Sequence, residues 1–214
     1  MAPLLTPIEA MVDSANQLSD EDFISTYLKP EVGWTSWTHP NTNDVYEISF
    51  HRAGNTSKPD LQACLNLIDV TSGEDYRNSS IGWNASRKLR EMKSPDLRYT
   101  VVKGKDGQVK GFTSLMPTFE DGYPVVYCYE IHLLPELQRT GLGKKLMDDM
   151  MRTAKNIPCM EKVMLTCFVS NKNARAFYDK LGFEVDPFSP QPRKLRGGKV
   201  VVPDITIMSK PVAR

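Results

Sequence analysis

The chain has 214 residues, a formal net charge of +1 and 40% apolar residues. A chain of that size buries a sizeable core without a disulfide or a metal to hold it, and its near-neutral balance excludes a broad electrostatic binder of nucleic acid. No apolar stretch reaches the length of a membrane span, so no membrane partner is expected, and no direct contact with nucleic acid is required.

Met1-Ala2-Pro3-Leu4-Leu5 lacks the positive and apolar regions of a secretory signal. Cys64, Cys128, Cys159 and Cys167 follow no C-x-x-C spacing and read as small core residues in a reducing compartment. A cytoplasmic and nuclear location is therefore expected.

Thr6-Pro7 opens a helix with apolar residues Ile8, Met11, Val12, Ala15 and Leu18 at helical spacing. Ser19-Asp20-Glu21-Asp22 caps a second short helix that runs toward Leu28. Pro30–Asn43 reads as a loop and Val45–Arg52 as a first strand. Helical patterns follow over Asp60–Val70 and Trp83–Met92, with Gly73-Glu74-Asp75 and Asn78-Ser79-Ser80 marking irregular ground between them. Leu97–Lys103 and Gln108–Met116 flank Gly104-Lys105-Asp106-Gly107 as a hairpin. A loop over Pro117–Pro124 leads to the apolar run Val125–Leu134. The chain continues as a glycine turn, a helix over Leu142–Ala154, a strand over Lys162–Phe168, a helix over Asn173–Leu181, and short strands near Phe183–Val185 and Lys199–Met208.

This order predicts a mixed α/β (α+β) fold. Its one mostly antiparallel twisted sheet, flanked by helices, has a local parallel pairing where strand, helix and strand follow each other near the C-terminus. Residues 1–44 read as a helical extension packed on a domain spanning 45–214.

The stretch that carries chemistry is VVYCYEIHLLPELQRTGLGKK, from Val125 to Lys145. A buried strand ends at Pro135, and Gln138-Arg139-Thr140-Gly141-Leu142-Gly143 opens a helix. Glycines there let main chain approach a ligand, and free amides at a helix start suit phosphate oxygens. A P-loop needs a glycine five residues before Gly141 or Gly143, which is absent, and a dinucleotide fingerprint needs a glycine where Leu146 stands. The bland alternative is a simple glycine turn.

The Gln-x-x-Gly-x-Gly spacing resembles the pyrophosphate loop of the GNAT acetyltransferases. So does a second segment, Asn171 to Phe183, which is similar to that family's N-x-x-A-x-x-x-Y-x-x-x-G-F pattern. The resemblance implies the GNAT fold over roughly residues 45–210, with acetyl-CoA as co-substrate and no metal; His39, His51 and His132 have no metal-ligand spacing. It implies that Gln138, Arg139, Thr140, Gly141, Leu142, Gly143 and Lys144 hold the pyrophosphate. The main chain of Ile131, His132 and Leu133 would meet the pantetheine arm as an added strand would, together with Asn171. Tyr178 is the residue that in this family serves as acid toward the departing thiolate; the alternative is an aromatic anchor.

Tyr127-Cys128-Tyr129-Glu130, Arg139–Lys144, Lys162–Thr166, Ser189-Pro190, and Tyr76 with Trp83 further resemble the NatD group of N-terminal acetyltransferases. NatD enzymes acetylate the α-amine of core histones whose tails begin Ser-Gly-Arg-Gly. That resemblance implies histone tails as substrate and a peptide site lined by Tyr76, Thr118, Phe119, Glu120, Tyr127, Tyr129 and Thr166. Ile81 and Ile205 stand where the group carries aromatics. A monomer is expected, and ribosome association stays open.

Glu130 is the candidate base, because a charge inside an apolar strand is costly unless it serves something; the alternative is a solvent-facing or lysine-paired glutamate. Strict alternation would set Tyr127 and Tyr129 on the face opposite Glu130, and a bulge of the kind the family has here would gather them. Cys128 and His132 would share a face about 13 Å apart, too far for a nucleophile pair. Other readings are transfer to a lysine side chain or small amine, and a domain that binds CoA without turnover.

Overall fold

The computed structural model describes residues 6–194, 196–198 and 200–213. Its elements in chain order begin with α1 (Pro7–Gln17) and α2 (Asp20–Phe23), which continues as one π turn over Ile24–Leu28. Thr6 and Glu9 form a reciprocal capping box, and Ser19 accepts from the Asp22 amide, so both starts follow from sequence. Strands β1 (Ser36–Thr38) and β2 (Val45–Arg52) precede helices α3 (Lys58–Arg77) and α4 (Ala85–Glu91). After β3 (Arg98–Lys103), β4 (Val109–Glu120) and β5 (Tyr123–Leu133) come α5 (Leu142–Asn156), β6 (Lys162–Phe168) and α6 (Lys172–Lys180). The chain closes with β7 (Glu184–Val185), the small pair β8 (Arg193–Lys194) and β9 (Val200–Val201), and β10 (Ile205–Pro211).

Eight strands make one sheet in the order β1-β2-β3-β4-β5-β6-β10-β7. Every pairing in it is antiparallel except β5 with β6, which α5 connects. This is the GNAT fold, with helices on both faces of a largely antiparallel sheet. On one face α3 buries Leu61, Leu65 and Ile68 with Tyr99, Val101 and Phe112. On the other, Val12, Phe23, Met147, Met150 and Tyr178 close over Val126, Cys128 and Leu165.

Three expectations need correction. Pro30–Asn43 contains β1, whose Ser36 to Thr38 pair with Glu47 to Val45 at the sheet edge. Gly73, Glu74 and Asp75 are helical, because α3 runs unbroken to Arg77. Arg77 reaches back across Gly73 to Asp69 at 2.7 Å, and a Cβ on Gly73 would collide with both side chains. Finally, Pro117–Pro124 is no loop. β4 continues to Glu120, and only Asp121 and Gly122, at φ 50° and 84°, make the turn. Pro117 is tolerated because β3 begins only opposite Leu115, so its missing N–H costs no ladder bond, while Asn16 donates to its carbonyl at 2.8 Å.

The N-terminal helices are clasped from inside. The fully buried Arg98 side chain donates to the carbonyls of Ala15, Asn16 and Leu18, pairs with Asp20 at 3.2 Å and lies over the Phe23 ring. Cys64, Cys128 and Cys167 are buried, and all four cysteines are free thiols.

Candidate active site

β5 is the spine of the site. It pairs with β6 only from Val125–Lys162 to Cys128–Leu165, and beyond that rung the two strands part. From Tyr129 to Leu133 the strand has β4 on one side and, among the described residues, no strand partner on the other. At the same point the β4–β5 register slips: Ser114 faces Glu130 while Leu115 faces Cys128, so Tyr129 is an extra residue. This bulge reverses the alternation. Tyr127, Glu130 and His132 therefore share the α3 face, whereas Cys128 and Ile131 pack on the other. Cys128 and His132 do not share a face as plain alternation would place them.

Glu130 is 9% exposed and both its oxygens are held. Lys88 of α4 donates to Oε1 at 3.1 Å, and His132 Nε2 lies 2.7 Å from Oε2. Burial pushes its pKa up, but the hydrogen bond and charge of His132 and the Lys88 ammonium outweigh that, leaving Glu130 below the usual carboxylate range. His132 Nδ1 lies 2.6 Å from the Thr71 hydroxyl of α3. Lys88 also sits 5.1 Å over the Tyr76 ring and 3.0 Å from Glu91. Burial pushes the Lys88 pKa down, but the Glu130 charge, the Tyr76 hydroxyl and the Glu91 carboxylate outweigh it and raise it overall, so Lys88 stays charged.

Neither Lys88 nor Thr71 was a candidate from sequence. Both are polar residues on the inward faces of helices, and only the tertiary fold brings them to β5. A lysine on a helix carries no local sign of facing a glutamate 42 residues away.

The glycine loop lies at the mouth of the opening between β5 and β6. Gln138 donates to the Leu133 carbonyl at 3.0 Å, Arg139 adopts φ 61°, and Gly141 adopts φ 94° as N-cap of α5. Thr6, Ser19, Ser57, Asn84 and Asn171 cap the other α-helices with side-chain oxygens, but α5 has no side-chain cap. Leu142 N–H reaches only the Thr140 hydroxyl, at 3.5 Å, and the amides after it are left for an external anion. A Cβ on Gly143 would stand 3.3 Å from Phe177 and 3.5 Å from Leu133, so this glycine lets α5, α6 and β5 close together. Thr140 donates to the Leu137 carbonyl at 2.6 Å, and Lys144 reaches Asp148 one turn on. The buried Leu142 side chain belongs to the core with Leu146 and Ile48.

Asn171 caps α6 by accepting from the Ala174 amide at 3.0 Å, which leaves its side-chain N–H groups available. Tyr178 is buried against Phe177 and Phe183 on the core face. Burial raises its pKa well above that of an ordinary phenol, so it remains protonated and keeps a hydrogen to donate.

The residues expected to line a peptide site fall into two groups. Tyr127 and Thr166 join hydroxyls at 2.6 Å, and the Tyr127 and Tyr129 rings lie 5.0 Å apart. Burial pushes the Tyr127 hydroxyl up to about 12. Tyr76 packs on Trp83 and on Phe168 of β6, which closes the α3 side. Thr118 and Glu120 sit on the same sheet face, opposite Val125 and Tyr123. Burial and then Asp121 raise the Glu120 carboxyl, which forms no ion pair with another described residue. Phe119 differs: alternation turns it to the other face, where it packs on the core beneath α1 and α5. Its ring is thus separated from its two neighbours. Among the described residues no group of three or more His, Cys, Asp and Glu side chains could hold a metal ion.

Sequence comparison agrees with this geometry. Residues 62–183 match the Acetyltransferase (GNAT) family, and the chain belongs to that family. It is 36% identical to N-alpha-acetyltransferase 40 of Saccharomyces cerevisiae over 174 residues, which is 67% of this chain and 60% of the yeast protein. It is also 34% identical to the 5-NmdU N-acetyltransferase of Pseudomonas phage PaMx11 over 84 residues, 39% of this chain and 56% of the phage protein. The matches thus span less than two thirds of the length of either relative. Arabidopsis thaliana NAA60, solved with a bisubstrate analogue, shares the fold with a TM-score of 0.54 at 14% identity, covering 77% of this chain and 97% of that one.

Proposed function

We propose that this chain is an acetyl-CoA-dependent N-alpha-acetyltransferase whose substrates are histone tails beginning Ser-Gly-Arg-Gly. The observation that carries the reading is the parting of β5 from β6 at Cys128, with the uncapped α5 at its mouth and Glu130 in its wall. The edge of Ile131 to Leu133 that faces away from β4, where Gln138 takes the Leu133 carbonyl, suits the amide-bearing arm of the cofactor, and the α5 amides with Arg139 and Lys144 suit its pyrophosphate. The α-ammonium of a peptide, with a reference pKa of about 7.7–8.0, needs little help to lose its proton. Glu130, held ionised, attracts that ammonium and orients it; the freed amine then attacks the thioester carbon. Tyr178, always protonated, donates a hydrogen bond to the departing sulfur.

The yeast relative's name supports an α-amine acceptor. Glu120, half-buried without a cation partner on the face of Tyr127 and Tyr129, suits the arginine at the third position of the tail. A second reading, transfer to a lysine side chain or a small amine, draws on the name of the phage relative. Both readings are tested with acetyl-CoA, a Ser-Gly-Arg-Gly peptide, and the same peptide with a blocked α-amine and free lysines. Mass spectrometry should find the acetyl group on the free α-amine alone. Acetylation of the blocked peptide would transfer the acceptor to lysine.

A further inference from the structure

We propose that His132 is a positioning residue for this reaction: with Thr71 behind it, it lets Glu130 take up the substrate's proton as a two-residue unit. The inference deepens the acetyltransferase reading and rests on it. The geometry is a chain of three short contacts on the α3 face of β5. Glu130 Oε2 lies 2.7 Å from His132 Nε2, His132 Nδ1 lies 2.6 Å from Thr71 Oγ1, and Thr71 Oγ1 lies 2.8 Å from the Leu67 carbonyl. The Phe112 ring, tilted 31° at 5.5 Å, packs on the imidazole and holds its plane.

Counting hydrogens assigns the roles. The Leu67 carbonyl and a carboxylate can only accept, and Thr71 has one hydrogen to give. Satisfying all three contacts together requires Thr71 to donate to Leu67, His132 Nδ1–H to donate to Thr71, and one proton to lie between Nε2 and Oε2. The geometry is therefore complete when the pair holds one proton. When the pair gives that proton up, Thr71 swings its hydroxyl hydrogen to Nδ1, and Nε2–H alone donates to the carboxylate. Lys88 uses one lone pair of Oε1 and leaves the other for the incoming ammonium.

The substrate ammonium gives one proton to the Glu130–His132 pair, where it comes to rest between Oε2 and Nε2. The freed lone pair forms the C–N bond to the acetyl carbon, the C–S bond breaks, and its electron pair leaves on sulfur. A second N–H proton leaves with the sulfur as the thiol, and the pair later releases its proton to water. The Glu130–His132 contact makes the two groups one acceptor, so the proton is held by the pair and not by the carboxylate alone.

The other titratable groups facing the pair are Lys88 and Glu91 from α4, Tyr76 from α3 and Tyr99 from β3, with Cys128 and Tyr178 across the sheet. Burial raises both tyrosines on the near side and the two groups beyond the sheet, so those four stay neutral near pH 7. Lys88 keeps its charge.

The test is the pH profile of kcat for the Ser-Gly-Arg-Gly peptide in wild type, His132→Gln and Thr71→Val. Glutamine keeps a donor for Glu130 but cannot take a proton. His132→Gln should lower kcat at least about tenfold, erase the acidic limb of the profile and leave the acetyl-CoA KM within about twofold. Thr71→Val should displace that limb without erasing it. A His132→Gln profile that superimposes on wild type, or one merely scaled down in rate with the limb unmoved, overturns the inference alone. Failure of the wild type to acetylate either peptide overturns the acetyltransferase reading, and this inference falls with it. NMR of the wild-type protein provides a readout free of activity and of folding of the variants. With three histidines in the chain, the imidazole nitrogens of His132 and the carboxyl carbon of Glu130 should titrate in one shared step. Separate titrations would overturn the pair.

Discussion

The two halves of β5 have the same apolar character and opposite duties. From Val125 to Cys128 the strand is zipped between β4 and β6, and Val125 and Val126 are fully buried. From Tyr129 to Leu133 it keeps β4, loses β6 and carries the buried polar pair Glu130 and His132. One residue, the bulged Tyr129, separates them. An unpaired strand edge is a liability unless something covers it, and a buried carboxylate is a liability unless something pairs with it. The second half carries both, and the opening it makes is the candidate catalytic cleft.

The comparison is broken most severely from the zipped half. Leu165, 1% exposed, pairs with Cys128 at the last rung. Leu165→Ala should cost about 2–5 kcal/mol of stability. Thermal melts should drop by about 4–20 °C, while the affinity of the folded protein for acetyl-CoA should hold. Next is Glu120→Gln, at the rim of the peptide face. It should raise KM for a Ser-Gly-Arg-Gly peptide about tenfold, the value of one charge-assisted hydrogen bond, and leave KM unchanged for a peptide with alanine at the third position. Gly141→Val, at a φ of 94° that costs a residue with a Cβ about 1–2 kcal/mol, should weaken acetyl-CoA binding at least about tenfold by calorimetry with the circular dichroism spectrum kept.

The smallest effect concerns the far end of the zip. Asp186 is buried, and although burial pushes its carboxyl up, the Lys162 ammonium at 2.6 Å and the Phe188 amide hold it below the aspartate range. A depressed carboxyl stabilises the fold above its unfolded value of about 3.9 and loses that contribution as pH falls below it. Asp186→Asn should therefore flatten the acid limb of the stability curve below about pH 4, measured by denaturant titration, and leave turnover at neutral pH unaffected.

What the sequence revealed and what it hid divide along the same line. Local chemistry was readable: the Thr6 and Ser19 caps, the strands at Val45–Arg52 and Lys162–Phe168, and the Gly141-x-Gly143 helix start all stand where residue types place them. Glu130 stood out as a charge in an apolar run. The bulge did not, because it is a relation between Tyr129 and the register of Ser114 and Leu115 on another strand. Lys88 and Thr71 were hidden for the same reason; they reach β5 from 42 and 61 residues away. Pro117 misled because a proline normally ends a strand, and only the start of β3 no further than Leu115 excuses it. The same alternation that places Thr118 and Glu120 on the cleft face removes Phe119 from it, which a loop reading could not show.

The most direct test of the account is single-turnover transfer by wild type and Glu130→Gln, each preloaded with acetyl-CoA and mixed with the Ser-Gly-Arg-Gly peptide. If the opened half of β5 binds cofactor through main chain and handles the proton through Glu130, the variant should bind acetyl-CoA as tightly as wild type and transfer at least about a hundredfold more slowly. Equal transfer rates, with cofactor bound equally, would contradict the assignment of the chemistry to that half of the strand.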